Sequence, residues 1–114
     1  MRNKDLDATF FALSDSTRRA ILARLAEGEA SVTELAEPFE MSQPAISKHL
    51  KVLERAGLVA VRSDGSLRPR RLEPKPLEEA SDWIERYRET WEANFRRLEG
   101  LLEELKADDA VEGS

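Results

Sequence analysis

The chain has 114 residues, 36% of them charged, with no cysteine and a single histidine, His49. That is the length of one domain, and it leaves no disulfide scaffold, cysteine-ligated metal site or thiol nucleophile. The longest stretch without a charge is seven residues, far short of the about 20 that cross a bilayer, and Asp5 and Asp7 interrupt the place where a signal peptide keeps its apolar core. A chain of the reducing cytoplasm is expected.

Residues 5–13 read as a short helix with Leu6, Phe10 and Leu13 on one side and Thr9 and Phe11 flanking. Asp15 is placed to cap a second helix over 16–26, with Ile21, Leu22 and Leu25 as its apolar stripe and Gly28 as its stop. Ser31 and Glu34 form an S-x-x-E capping box at the start of a third helix, which buries Val32, Leu35 and Ala36 and is cut to about two turns by Pro38. Ser42 caps a fourth helix with Pro44 in its first turn. It runs to Ala56, with Gly57 in the left-handed position that follows a helix.

Beyond Gly57 the apolar period shortens from that of a helix to that of a strand. Residues 58–62 and 67–72 read as two strands joined by an Asp64-Gly65 turn, with Pro69 assigning the second to a sheet edge. From Leu77 to Leu105 the pattern is one long helix, about 43 Å at 1.5 Å per residue. The remaining residues, 107–114, have little to bury and read as a disordered tail.

Two short helices across a tight turn, followed by a hairpin, are the order of a winged helix–turn–helix. Ala36 is the small residue where the helices cross, and Leu35, Phe39, Met41 and Ile46 are apolar anchors around the turn. Glu40 stands where glycine is often found. At 100° per residue Ile46, Leu50 and Leu53 fall within about 60° of one another, with Ala56 beside them, and Pro44, Lys48, Lys51 and Arg55 fall within about 60° on the opposite side. His49 sits on the shoulder of the buried side, where a satisfied boundary histidine or a phosphate hydrogen bond are both open.

Charge supports that orientation. The net charge is −5, yet residues 41–76 hold 8 basic against 3 acidic groups, while 77–114 hold 5 against 12. An acidic chain with one basic third offers a polyanion a single face. Gln43, Ser47 and Lys48 are the candidates for base edges in the major groove, with Pro44 against a thymine methyl and Ser42 among the DNA-binding residues at the start of the helix. Lys51 and Arg55 suit phosphates, and Arg62, Arg68, Arg70 and Arg71 of the hairpin suit the phosphate backbone or the minor groove, with strand alternation setting Arg68 and Arg70 on one side and Arg71 on the other.

Leu77, Ile84, Trp91, Leu98 and Leu105 recur every seven residues, with Ala80, Tyr87, Asn94 and Leu101 three residues after the first four. Trp83, Phe95 and Leu102 widen this stripe. A second copy of the chain is the expected cover, with Leu6, Phe10, Tyr87, Trp91, Asn94, Leu98, Leu101 and Leu105 as the contact. The expected architecture is mainly α with a small β-hairpin, dimeric through the first and last helices. One domain spans 1–106, with the helix–turn–helix at 31–57, the wing at 58–74 and the long helix at 77–106.

With ALSDSTRRAIL and SQPAISKHLKVLERAGLV in place, the chain resembles the ArsR-type winged-helix regulators over about residues 5–106. Ser16 stands where those proteins usually have proline. The resemblance implies a homodimeric bacterial repressor on a near-palindromic DNA operator, in the cytoplasm and on the nucleoid. Metal-sensing members carry Cys-x-Cys in the helix matching 32–38, or His and Asp ligands on the last helix. This chain has VTELAEPF and no histidine on its last helix, so it is similar to the branch without metals. No metal, cofactor or membrane partner is expected. Nor is an enzyme, since no G-x-S-x-G, phosphate-cradling glycine loop or ligand set is present. The competing reading is a winged-helix protein-interaction module without specific DNA binding; a basic stripe without exposed aromatics speaks for DNA.

Overall fold

The computed structural model describes residues 3–63, 65 and 68–112. Within them the order is α1 (Asn3–Leu13), α2 (Ser16–Leu25), α3 (Val32–Ala36), a 3₁₀ turn (Glu37–Phe39), α4 (Gln43–Arg55), β1 (Val59–Val61), β2 (Arg70–Leu72) and α5 (Lys75–Glu112). This is the winged helix–turn–helix, mostly helical with one antiparallel hairpin.

The helix starts follow from local chemistry. The Asp15 carboxylate accepts from the Arg18 backbone N–H at 3.1 Å. Ser31 and Glu34 exchange both capping-box bonds, at 3.2 and 3.1 Å, and Ser42 Oγ accepts from Ala45 N at 3.3 Å. Each satisfies a donor that a helix N-terminus leaves unpaired. Pro38 is the second residue of the 3₁₀ turn, where α3 tightens and ends. Gly57 takes φ +75°, the left-handed conformation that closes α4.

The turn between α3 and α4 costs more. Glu40 ends the 3₁₀ turn at φ 53°, ψ 30°, a region in which a side chain crowds the backbone. Glu40→Gly is therefore expected to stabilise the protein by about 0.5–1 kcal/mol, what remains after glycine's greater freedom in the unfolded chain is offset. Urea unfolding of the two proteins measures it; a lower midpoint for the variant contradicts it.

The chain divides at Ala80 into two units, where one domain over 1–106 was expected. In the first, Ile21 and Leu25 of α2, Leu35 of α3, Ile46, Leu50 and Leu53 of α4, and Leu58 and Val59 of the hairpin arm form one buried cluster. Leu77 packs against it and Ala80 is buried. On α1 the buried residues are Thr9 and Ala12, whereas Leu6 and Phe10 are half-buried. Thr9 fits that position because its hydroxyl donates to the Asp5 carbonyl at 3.0 Å, which removes the cost of burying it.

The hairpin is shorter than its pattern. The pairs are Val59↔Leu72, Ala60↔Arg71 and Val61↔Arg70. Arg68 takes φ +42°, which no strand allows, so the alternation expected from Arg68 onward does not hold. Asp64 of the expected turn and Leu67 of the expected second strand lie outside the described residues. Nor is β2 an edge strand at Arg70. Arg70 N donates to Ala30 O at 2.8 Å and Ala30 N donates to Arg70 O at 3.2 Å, so β2 is flanked on both sides there. Pro69 is tolerated because it precedes the bridged residue.

In the second unit, Trp83, Ile84, Tyr87, Trp91, Phe95, Leu98, Leu101, Leu102 and Leu105 are each 45–60% exposed, and Asn94 is exposed with them. Trp83 stacks on Tyr87 with ring centroids 5.8 Å apart, and Trp91 on Phe95 at 5.2 Å. The heptad pattern therefore changes partners at Ala80: its first two members face the core of the first unit and the rest are uncovered in the single chain. The helix also continues through Glu112, where disorder from 107 was expected. No glycine or proline occurs between Leu101 and Glu112, and extending a formed helix costs little per residue. Residues 113–114 lie outside the described ones.

Candidate nucleic-acid interface

The buried face of α4 fixes what its other face shows. Ile46, Leu50 and Leu53 are at most 1% exposed, and a helix pinned along that line turns the opposite side to solvent. Ser42, Gln43, Pro44, Lys48, Lys51 and Arg55 are exposed there and Ser47 is half-buried. The three cations of the helix thus share one face, with the hydroxyl and amide groups gathered at its start. Pro44 has no N–H and Ser42 Oγ takes that of Ala45, so what the N-terminus of α4 adds is chiefly the positive end of the helix dipole.

The arginines of the hairpin differ from one another. Arg62 lies 3.2 Å from Glu29. Arg71 makes two contacts to Glu73 Oε1, at 2.7 and 3.1 Å. Arg70 is turned inward: its side chain is 17% exposed, its Nε is 3.6 Å from Glu54 Oε1, and its Nη1 donates to the Arg68 carbonyl at 2.8 Å. Neither Arg70 Nε nor Glu54 Oε1 has a hydrogen-bond partner, so this is a charge contact tying β2 to α4. Arg68 is exposed. The sequence shows four equivalent cations; the carboxylates that distinguish them come from residues as distant as Glu29. A groove of about 520 Å³ is lined by Ser31, Thr33, Glu34, Gln43, Arg68 and Arg70, among others.

His49 has a structural role that its helical angle only partly foreshadows. Its Nδ1 is 3.4 Å from Arg18 Nη1 and 3.8 Å from Asp15 Oδ2, joining α4 to the start of α2. The Arg18 backbone N–H holds the Asp15 carboxyl below its ordinary value, and the nearby His49 and Arg18 charges act in the same direction. Arg18 itself is 8% exposed; its place three, four and seven residues before Ile21, Leu22 and Leu25 is the signal of that burial, although its charge argues against it. Among the described residues no three His, Cys, Asp or Glu side chains are grouped to hold a metal ion. No described helix is long and apolar enough to cross a membrane.

Residues 13–62, from the end of α1 to the hairpin, match the helix-turn-helix domain family. An HTH-type transcriptional regulator of Mycobacterium tuberculosis is 49% identical over 62% of this chain and 66% of its own length, just under two thirds. The arsenical resistance operon repressor of Escherichia coli is 33% identical over 84% of this chain and 80% of its length. A solved ArsR family transcriptional regulator superposes with a TM-score of 0.75 at 38% identity, covering 81% of this chain and 95% of that one. The matched residues 13–62 contain α2, α3, the turn, α4 and β1, and so the basic face of α4. A winged helix–turn–helix fold, shared at 33% identity along 80% of a known repressor and at a TM-score of 0.75 with a solved relative, makes the chain a member of the ArsR family of winged helix–turn–helix transcriptional regulators.

Proposed function

We propose that the protein is a homodimeric repressor of the bacterial cytoplasm that binds an inverted-repeat DNA operator through α4 and the basic hairpin. The observation that carries the reading is the exposed face of α4, with Lys48, Lys51 and Arg55 aligned behind Ser42, Gln43 and Ser47. Gln43, Ser47 and Lys48 read base edges, Pro44 meets a thymine methyl group, and Lys51 and Arg55 hold phosphates. Arg62, Arg68 and Arg71 meet the backbone beside the groove. Arg70 acts chiefly through Glu54, keeping the hairpin at the angle that lets its neighbours reach.

One recognition helix reads only a few base pairs, so useful discrimination takes two held at a fixed separation. In a two-fold dimer they enter successive major grooves, about 34 Å apart. The second copy covers the uncovered stripe of α5, with Leu6 and Phe10 of α1 contributing. Control by soft metals or thiol oxidation is not part of the proposal, since the chain has no cysteine and one histidine.

Selection of bound duplexes from a random pool supplies the site, and salt-titrated binding to it tests the residues. Lys48→Ala and Lys51→Ala are each expected to weaken binding, and loss of a phosphate contact lowers the salt slope by about 1. Gln43→Ala is expected to relax preference at particular base pairs, at about 1–3 kcal/mol there. Affinity independent of salt and of all three substitutions would overturn the assignment of α4.

A further inference from the structure

Gln43 is exposed, yet its side chain is not loose. It is the first residue of α4, and its Nε2 donates to Thr33 Oγ1 at 3.1 Å, across the turn and ten residues away in sequence. We infer that Thr33 is a positioning residue that sets the base preference of the protein, by holding the Gln43 carboxamide ready for the edge of an adenine. The inference rests on Gln43 reading a base, and it adds the residue that determines how selectively Gln43 does so.

The support under Thr33 is rigid. Thr33 is the second residue of α3, whose first turn is locked by the Ser31–Glu34 capping box and whose inner face is anchored by Leu35, fully buried, and Ala36. A β-branched side chain has few χ1 choices, two for threonine in a helix, so the hydroxyl is an acceptor of restricted position. A glutamine in open solvent has three soft torsions and gives up that freedom when it meets a base. Tied to Thr33 by one N–H, Gln43 has surrendered part of it before DNA arrives. When Thr33 takes the N–H that points away from the carbonyl, what remains is the other N–H and the carbonyl oxygen, side by side. Those are the donor and acceptor that adenine N7 and N6 require in the major groove, and a guanine edge, which offers two acceptors, does not match them. The hydroxyl keeps its own proton, free for a backbone oxygen or water. Thr33 therefore touches no base; it restricts which base Gln43 can satisfy.

The test compares Thr33→Val, which keeps the branched shape and loses the hydroxyl, with Thr33→Ser, which keeps the hydroxyl. Both are made alone, and Thr33→Val also in a Gln43→Ala background, in the full chain. Each protein is titrated by competition against a panel of duplexes carrying every single base-pair change in the selected site, and against a random duplex. Thr33→Val is expected to lose about three- to ten-fold of the discrimination at the pair read by Gln43, the worth of one hydrogen bond. Affinity for random duplex, the salt slope and the thermal midpoint stay as in the parent. Thr33→Ser restores most of the discrimination, and Thr33→Val adds nothing once Gln43 is alanine. If Gln43→Ala flattens one position and Thr33→Val leaves it sharp, the inference fails while Gln43 as base reader survives. If Gln43→Ala flattens no position, both fail. If Thr33→Val weakens every duplex alike and lowers the salt slope, Thr33 is a phosphate ligand and the positioning role is overturned.

Discussion

Arg18→Met is expected to destabilise the first unit by about 2–4 kcal/mol, the cost of removing a buried cation's hydrogen bonds to groups that stay behind. Arg18 Nε donates to the Ala12 carbonyl at 2.8 Å and Nη2 donates to the Phe11 carbonyl at 2.9 Å. Both carbonyls belong to the last turn of α1, where a helix lacks partners further along its own backbone; Phe11 O also accepts from Ser14 N at 3.1 Å and Ser14 Oγ at 2.6 Å, so the Ala12 carbonyl is the group that loses most. The guanidinium also lies 5.2 Å from the centroid of the Phe11 ring and 3.4 Å from His49 Nδ1. One side chain thus closes α1, starts beside the cap of α2 and reaches α4. Methionine fills similar space without a donor, so the loss reports the hydrogen bonds rather than a cavity. In a unit of this size the expected change is a fall in thermal midpoint on the order of 10–20 °C. Arg18→Lys recovers only part of it, because an ammonium group cannot serve a forked set of acceptors. A loss below about 1 kcal/mol for Arg18→Met would mean that those carbonyls find other partners cheaply.

The importance of Arg18 is only half legible in the sequence. Asp15, the Ser31–Glu34 pair, Ser42 and Gly57 could be assigned from sequence because a cap or a left-handed stop depends on residues within one turn of it. Ile46, Leu50 and Leu53 could be assigned because helical period alone puts them together. Arg18 lies three, four and seven residues before Ile21, Leu22 and Leu25, so helical period puts it on the apolar side of α2, but only the arrival of α1 and α4 shows what its guanidinium binds. The same holds for Arg70. Its neighbour in space, Glu54, lies on another element, and its second backbone partner, Ala30, lies in the loop before α3. A residue read from sequence as a phosphate ligand thus also carries a charge contact between β2 and α4. Thr33 carried no signal at all until the turn brought Gln43 to it. The heptads of α5 were visible throughout, but nothing in their period marks Ala80 as the point where the chain's own core stops covering them.

Leu98→Glu is expected to abolish dimerisation. Leu98 is 51% exposed in the single chain, in a stripe with Trp91, Leu101 and Leu105 that the proposed partner copy covers. A glutamate there takes a charge out of water with nothing to pair it, and the effective penalty is several kcal/mol per buried ion, in a two-fold dimer incurred once on each side (about doubling it). The core of the first unit is untouched, since every residue of its buried cluster precedes Ala80. The variant is thus expected to keep the circular dichroism and unfolding midpoint of that unit while light scattering reports a monomer. Lys48, Lys51 and the hairpin arginines remain in place, so weak binding to random duplex survives with its salt dependence. Preference for two half-sites over one is lost, because each recognition helix now binds alone. The two measurements separate the causes. A protein that stays dimeric shows that α5 is not the seam, and a folded monomer with undiminished affinity for the paired site shows that spacing is set elsewhere in the chain. A monomer that binds a single half-site as the parent does, and gains nothing from the second, is the outcome the stripe on α5 requires.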